Sequence, residues 1–115
     1  MPDSPSRAGT DALEACIDAC QQCHNACLQA AMITCLELGE DHVEPEHFRL
    51  MLHCAEICQT AANFMLGGSP LHGHVCAACA EVCDACAQSC ERIGDMEECA
   101  QACRNCATEC RAVAD

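Results

Sequence analysis

Cys79-Ala80-Glu81-Val82-Cys83-Asp84-Ala85-Cys86-Ala87-Gln88-Ser89-Cys90 sets four cysteines at intervals of four, three and four. Cys16, Cys20, Cys23 and Cys27 repeat that spacing, and so do Cys99, Cys103, Cys106 and Cys110. Each residue of an α-helix turns about 100°, so four residues spaced this way fall within a stripe about 60° wide. A bundle helix normally fills that stripe with Leu and Ile. Here it carries thiols, so the core these helices share is built of sulfur.

Outward from the three seams, capping signals mark the helix ends. Thr10 or Asp11 is placed to cap the first helix, with Glu14 in capping-box position, after a flexible tail over residues 1–9. The helix is expected to run over about 11–38 and to stop at Gly39. Its seam continues through Ala30, Ala31 and Thr34, whereas Cys35 lies about 100° off the stripe and is predicted at the rim. After the acidic connection Glu40 to Glu44, Pro45 opens a second helix over about 45–66. One face of it carries His47, Met51, Cys54, Cys58, Ala61 and Met65. Gly67-Gly68 ends it, and Ser69-Pro70 opens a third helix over about 70–93, which adds Cys76 to the seam and begins with His72. Gly94 closes that helix, and Asp95, with Glu98 as capping-box partner, is expected to cap a fourth over about 95–113. Four helices joined by short loops predict one all-α domain over residues 10–115, an antiparallel up-down-up-down four-helix bundle with a cysteine-lined core.

Composition narrows the chemistry. The 115 residues include sixteen cysteines, no Trp or Tyr, and only Phe48 and Phe64 as aromatic core material. Cysteine at this density means a disulfide scaffold or a metal binder. The N-terminal stretch has no apolar signal segment and no run is long enough to span a membrane, so the chain reads as cytoplasmic, where thiols stay reduced. Cysteines three or four apart on one helix are also a poor plan for disulfides, which usually staple separate elements. A net charge of −13 with five Lys+Arg excludes a nucleic-acid surface. The acidic exterior instead keeps a thiol-rich protein soluble and draws cations to it.

Antiparallel order gathers Cys35, His47, Met51, Cys90, Met96 and Cys99 at one end of the bundle. Cys16, Met65, His72, Cys76 and Cys110 collect at the other. Thiolates and thioethers select Cu(I), zinc or iron–sulfur clusters. Zinc prefers closed sites of four ligands, and a continuous seam does not divide naturally into fours. Cu(I) is satisfied by two or three sulfurs, so sixteen cysteines would hold roughly 8 ions unshared or about 16 if each sulfur bridges. The candidate ligands are all sixteen cysteines together with His47 and Met51. Met51 and Met65 suit packing as well as ligation, His24 is peripheral, and His42, His53 and His74 are read as surface.

Rival readings explain less. Cysteine as a small core hydrophobe sacrifices the burial that larger side chains provide. Cys20-Gln21-Gln22-Cys23-His24 matches a c-type haem attachment pattern, but the seam already accounts for it. Glu44 and His47 form one half of a di-iron motif without the other. The CxxC pairs lack the strand-to-helix setting of a redox enzyme, and repetition suits capacity rather than turnover. A zinc or general thiolate-metal buffer is the alternative function, with an iron–sulfur or redox protein ranked third.

Helix-borne C-x3-C-x2-C-x3-C runs within a short four-helix chain resemble the bacterial copper storage proteins, over about residues 11–114. The missing export signal resembles the cytosolic branch of that family. The resemblance implies several Cu(I) ions bound mainly by thiolate pairs, storage rather than catalysis, and a homotetramer. It also implies loading through the end near Met32, His47 and Met51. A copper donor or acceptor protein is a further expected partner. The second helix departs from the densest pattern, having only Cys54 and Cys58, so sites on its side are expected either to be fewer or to be filled by His47 and Met51.

Overall fold

The computed structural model describes the backbone of residues 4–114 and the side chains of residues 11–114. Helix α1 (Ser4–Gln29) continues through a π-helical turn, Ala30–Cys35, into a last α-turn, Leu36–Leu38. A 3-10 turn, Glu40–Val43, leads to α2 (Pro45–Leu66), followed by α3 (His72–Ile93) and α4 (Glu97–Val113). No strand occurs among the described residues. Each helix packs against its neighbour in sequence, and α4 closes back on α1. The result is an up-down-up-down antiparallel bundle about 55 Å long.

Several ends differ from the capping expectations. Residues 1–3 of the expected tail lie outside the described residues, and the backbone is helical from Ser4. Thr10 and Asp11 are therefore inside α1, and Pro5 occupies its first turn, where a missing N–H costs nothing. Helix α3 starts at His72 rather than residue 70, because the Ser69 hydroxyl accepts the Leu71 N–H at 3.0 Å and folds residues 69–71 into a turn. Asp95 does not cap α4: it adopts φ +58°, and Met96 takes the N-cap position without a side-chain cap. The start of α2 is the best capped. Pro45 stands in its first turn, and the Glu44 carboxylate accepts the His47 N–H at 3.0 Å.

Both turns at the His47 end use glycine in a backbone region that only glycine populates readily. Gly39 has φ 67° and ψ −158°, and Gly94 has φ 90° and ψ 163°. His42, read as surface from the sequence, bridges these turns through a ring nitrogen 3.1 Å from the Gly94 carbonyl. His24, expected to be peripheral, reaches the Ala55 carbonyl at 2.7 Å and ties α1 to α2. Between α3 and α4, Arg104 pairs with Glu91 at 2.9 Å, and Arg111 pairs with Asp84. Such exposed pairs contribute about 0.2–1 kcal/mol each.

The core departs from an ordinary bundle. All sixteen cysteines are buried and none is disulfide-bonded. Around them sit Ala19, Ala31, Ala55, Ala61, Ala62, Ala80, Ala87, Ala100 and Ala107, with Met51, Met65 and Met96 as the largest apolar side chains inside. Alanine beside cysteine lets the helices approach closely enough for sulfurs on facing helices to touch.

Candidate metal centre

Helical spacing places the sulfurs, and antiparallel packing interleaves them. At the end where α1 begins, Cys16 lies 3.7 Å from Cys110, and Cys20 lies 3.6 Å from both Cys110 and Cys106. In the middle, Cys23 approaches Cys103 at 3.6 Å and Cys54 at 3.9 Å, while Cys58 meets Cys83 at 3.6 Å and Cys79 at 3.8 Å. Towards the other end, Cys27 approaches Cys99 at 3.3 Å and Cys103 at 3.5 Å. Within one helix, Cys23–Cys27 and Cys79–Cys83 lie 3.9 and 3.8 Å apart, the neighbourly i,i+4 relation.

Thioethers complete the side where α2 runs short of cysteine. The Met51 sulfur is 3.6 Å from Cys86 and 3.4 Å from Cys90, and the Met65 sulfur is 3.8 Å from Cys76. Cys35 is the largest departure from the periodic reading. It is fully buried rather than at the rim. The π-helical turn spends one extra residue per turn, which rotates Cys35 by about 100° back into line with Cys27 and Ala31. There its sulfur is 3.9 Å from His47 Nε2 and 3.9 Å from the Met96 sulfur.

Other expected participants lie elsewhere. Met32 is 45% exposed, so it points away from the sulfur column. His72 is half-buried, with a ring nitrogen 3.0 Å from the Ser69 carbonyl. Met96 and Ser89 are the residues that candidate-ligand reasoning passed over. Met96 stands in a turn, where periodicity is silent. Ser89 sits at the edge of the α3 stripe one residue before Cys90, and a polar residue at a core-facing position was the available signal. Its Oγ lies 2.6 Å from His47 Nδ1, and both side chains are buried.

The sulfurs form overlapping groups of four. Cys20, Cys79, Cys106 and Cys110 make one group, all within 4.8 Å of one another. So do Cys23, Cys54, Cys58 and Cys83; Cys23, Cys27, Cys54 and Cys103; Cys27, Cys86, Cys99 and Cys103; and Cys58, Cys79, Cys83 and Cys106. Cys23, Cys27, Cys54, Cys58, Cys79, Cys83, Cys103 and Cys106 each belong to more than one group. A closed tetrahedral site needs four ligands of its own. Shared membership suits ions of low coordination number bridged by common sulfurs.

Crowding also sets the protonation pattern. Contact with Cys103 and then Cys27 holds Cys99 at about 5, and contact with Cys110 and Cys20 holds Cys106 at about 6. Cys76 is pulled down by Cys110, but Cys16 and burial prevail and leave it at about 12. Across 3.6 Å, Cys23 is pushed down by Cys103 while Cys103 is pushed up by Cys23, since one proton is shared between them. Burial raises Cys35 and lowers His47, which favours a neutral thiol beside a neutral imidazole.

Two surface clefts flank Met96. One of about 300 Å³ reaches Cys99, another of about 170 Å³ reaches Cys90, and both are lined by Asp95 and Glu97. Acidic walls around soft donors offer a cation a favourable approach.

A four-helix bundle cored by a ladder of free thiols and thioethers is a soft-metal-binding protein. The chain belongs to the copper storage protein family, whose sequence profile matches residues 7–115. It is 58% identical to the Nmul_A1745 protein from Nitrosospira multiformis, with 90% of this chain and 94% of that chain covered and a TM-score of 0.88. To Cu(I)-bound copper storage protein BsCsp3 it is 38% identical, covering 90% of this chain and 99% of that one, with a TM-score of 0.83. The uncharacterized cysteine-rich protein YhjQ of Bacillus subtilis (strain 168) is 40% identical over 68 residues, 59% of this chain. The match spans 62% of that relative's length.

Proposed function

We propose that this protein stores Cu(I), many ions per chain, along the sulfur column at the centre of its bundle. The observation that carries the reading is the overlap of the four-sulfur groups, which lets the thiolates held in common serve two ions each. The ligands are the sixteen cysteines, with Met51 and His47 supplementing them on the α2 side. Met96 adds a thioether at the same end, and ions load there. This reading makes the protein a binder rather than an enzyme: its interior repeats soft donors, and no base–nucleophile constellation occurs among the described residues.

Sixteen free thiols suit a reducing, cytoplasmic setting. Family resemblance supports a homotetramer, and exposed Leu28, Met32, Ile33, Leu36 and Leu38, at the end of α1 and on the turns that continue it, fit an interface between copies. Light scattering on the eluting peak of a sizing column reads the mass directly, and a monomer would remove the tetramer from the reading.

The central test is an anaerobic titration of the reduced apo protein with Cu(I) in the presence of a chromophoric Cu(I) chelator, repeated with zinc already bound. Storage requires the chelator to stay colourless until roughly ten or more ions per chain are taken up, and requires Cu(I) to expel zinc. Colour after one to four ions, or zinc that copper does not displace, would replace storage with a zinc-buffering role.

A further inference from the structure

The Ser89–His47 contact is not explained by packing. His47 is fully buried, so neither ring nitrogen has water to satisfy it. Nδ1 sits 2.6 Å from Ser89 Oγ, and Nε2 faces the Cys35 sulfur at 3.9 Å. A neutral imidazole carries one N–H and one lone pair, and the partner of one nitrogen decides which role the other plays. If the serine hydroxyl donated to Nδ1, Nε2 would keep the proton and point an N–H at a soft-metal site. If Nδ1–H donates to Ser89 Oγ, the Nε2 lone pair faces Cys35 and is free for a metal ion.

We infer that Ser89 is a positioning residue: it accepts the His47 Nδ1–H, fixes the ring plane, and frees Nε2 as the nitrogen donor of a mixed site with Cys35 at the mouth of the sulfur column. The inference rests on the reading of His47 as a copper ligand. Three elements converge to build it. Cys35 arrives through the π-helical turn of α1, and His47 is set in the first turn of α2, where Glu44 caps its N–H. Ser89 comes from α3, one residue before Cys90. The carboxylate, backbone carbonyl or water partners that orient metal-bound histidines elsewhere have the same function, and losing one costs about 10–100-fold in metal affinity.

The test uses the full-length reduced protein with ¹⁵N-labelled histidine. In the apo form, imidazole ¹⁵N shifts should show His47 with the proton on Nδ1, and Ser89→Ala should move it towards the Nε2–H tautomer. Chelator-buffered Cu(I) then titrates the His47 Nε2 resonance as a site-specific reporter. Ser89→Ala should shift its midpoint to about tenfold higher free Cu(I), and Ser89→Thr, which keeps the hydroxyl, should restore the wild-type midpoint. Thermal melts of the three proteins separate this effect from general destabilisation. An Nε2–H tautomer in the wild type, or unchanged tautomer and midpoint in Ser89→Ala, would overturn the proposal. So would a His47 resonance that stays still while thiolate-to-copper absorption grows. Absence of that absorption in the wild type would instead overturn the storage reading itself.

Discussion

Cys27 Sγ lies 3.3 Å from Cys99 Sγ, the shortest sulfur–sulfur contact among the described residues. The pair joins α1 to α4 two turns inside the His47 end, and Cys27 belongs to two of the four-sulfur groups, sharing Cys103 in both. Replacing it should therefore cost more than one cysteine's share of capacity. In Cys27→Ser, Cu(I) capacity is expected to fall by about one to two ions per chain, because a hydroxyl is too hard a donor to substitute. Chelator competition counts the ions, and undiminished capacity would mean that Cys27 packs without ligating.

Copper affinity should rise with pH. Ions displace protons from thiols that are protonated in the apo protein, so acid competes with metal. Cys76, at about 12, still holds its proton throughout the accessible range and contributes to the slope everywhere below that value. Cys99 and Cys106, at about 5 and about 6, are already ionised at neutral pH and add to the slope only below those values. Competition titrations between pH 6 and 9 should show affinity climbing steadily, with pH-stat measurements releasing fewer protons than cysteines engaged. A flat profile over that window would contradict thiolate loading.

Loading should stabilise the fold. The apo core is filled with small side chains, so the metal-free bundle is expected to be helical but to melt low. Ligands that bind only the folded state add about 2.7 kcal/mol per site at a hundredfold excess over Kd. Circular dichroism melts of apo and loaded protein should differ clearly in midpoint. Superimposable curves would place the copper outside the core.

Gly94→Ala tests the turn beneath Met96. A Cβ there meets nothing within 4 Å, so no clash is created. The penalty comes from φ 90° alone, a region costing about 1–3 kcal/mol for other residues. The apo melting temperature should drop accordingly, and a variant as stable as wild type would show that the turn relaxes freely.

The three four-three-four seams made the bundle legible, because periodicity at 100° per residue is a local property of α1, α3 and α4. Cys54, Cys58 and Met51 were legible on α2 for the same reason. Cys35 was not, since its burial depends on a π-helical turn, and nothing in Ala30 to Cys35 announces a change of pitch. Tertiary packing at the bundle end decides it. Asp95 carries a good capping signal yet takes a left-handed conformation, because the short turn from Gly94 must bring Met96 inward. Ser89 carries no periodic signal of its own, and only the approach of His47 from α2 gives it a role. Local pattern thus located the column, while the residues that furnish its mouth came from turns and from contacts between helices.

The overlapping groups also bear on how cargo travels. Because neighbouring groups hold sulfurs in common, an ion can release one thiolate while still gripping another and reach the next position without ever being bare. Transit along the bundle then proceeds by the exchange of one bond at a time between sulfurs held in common. The interior behaves as a handrail rather than a row of lockers.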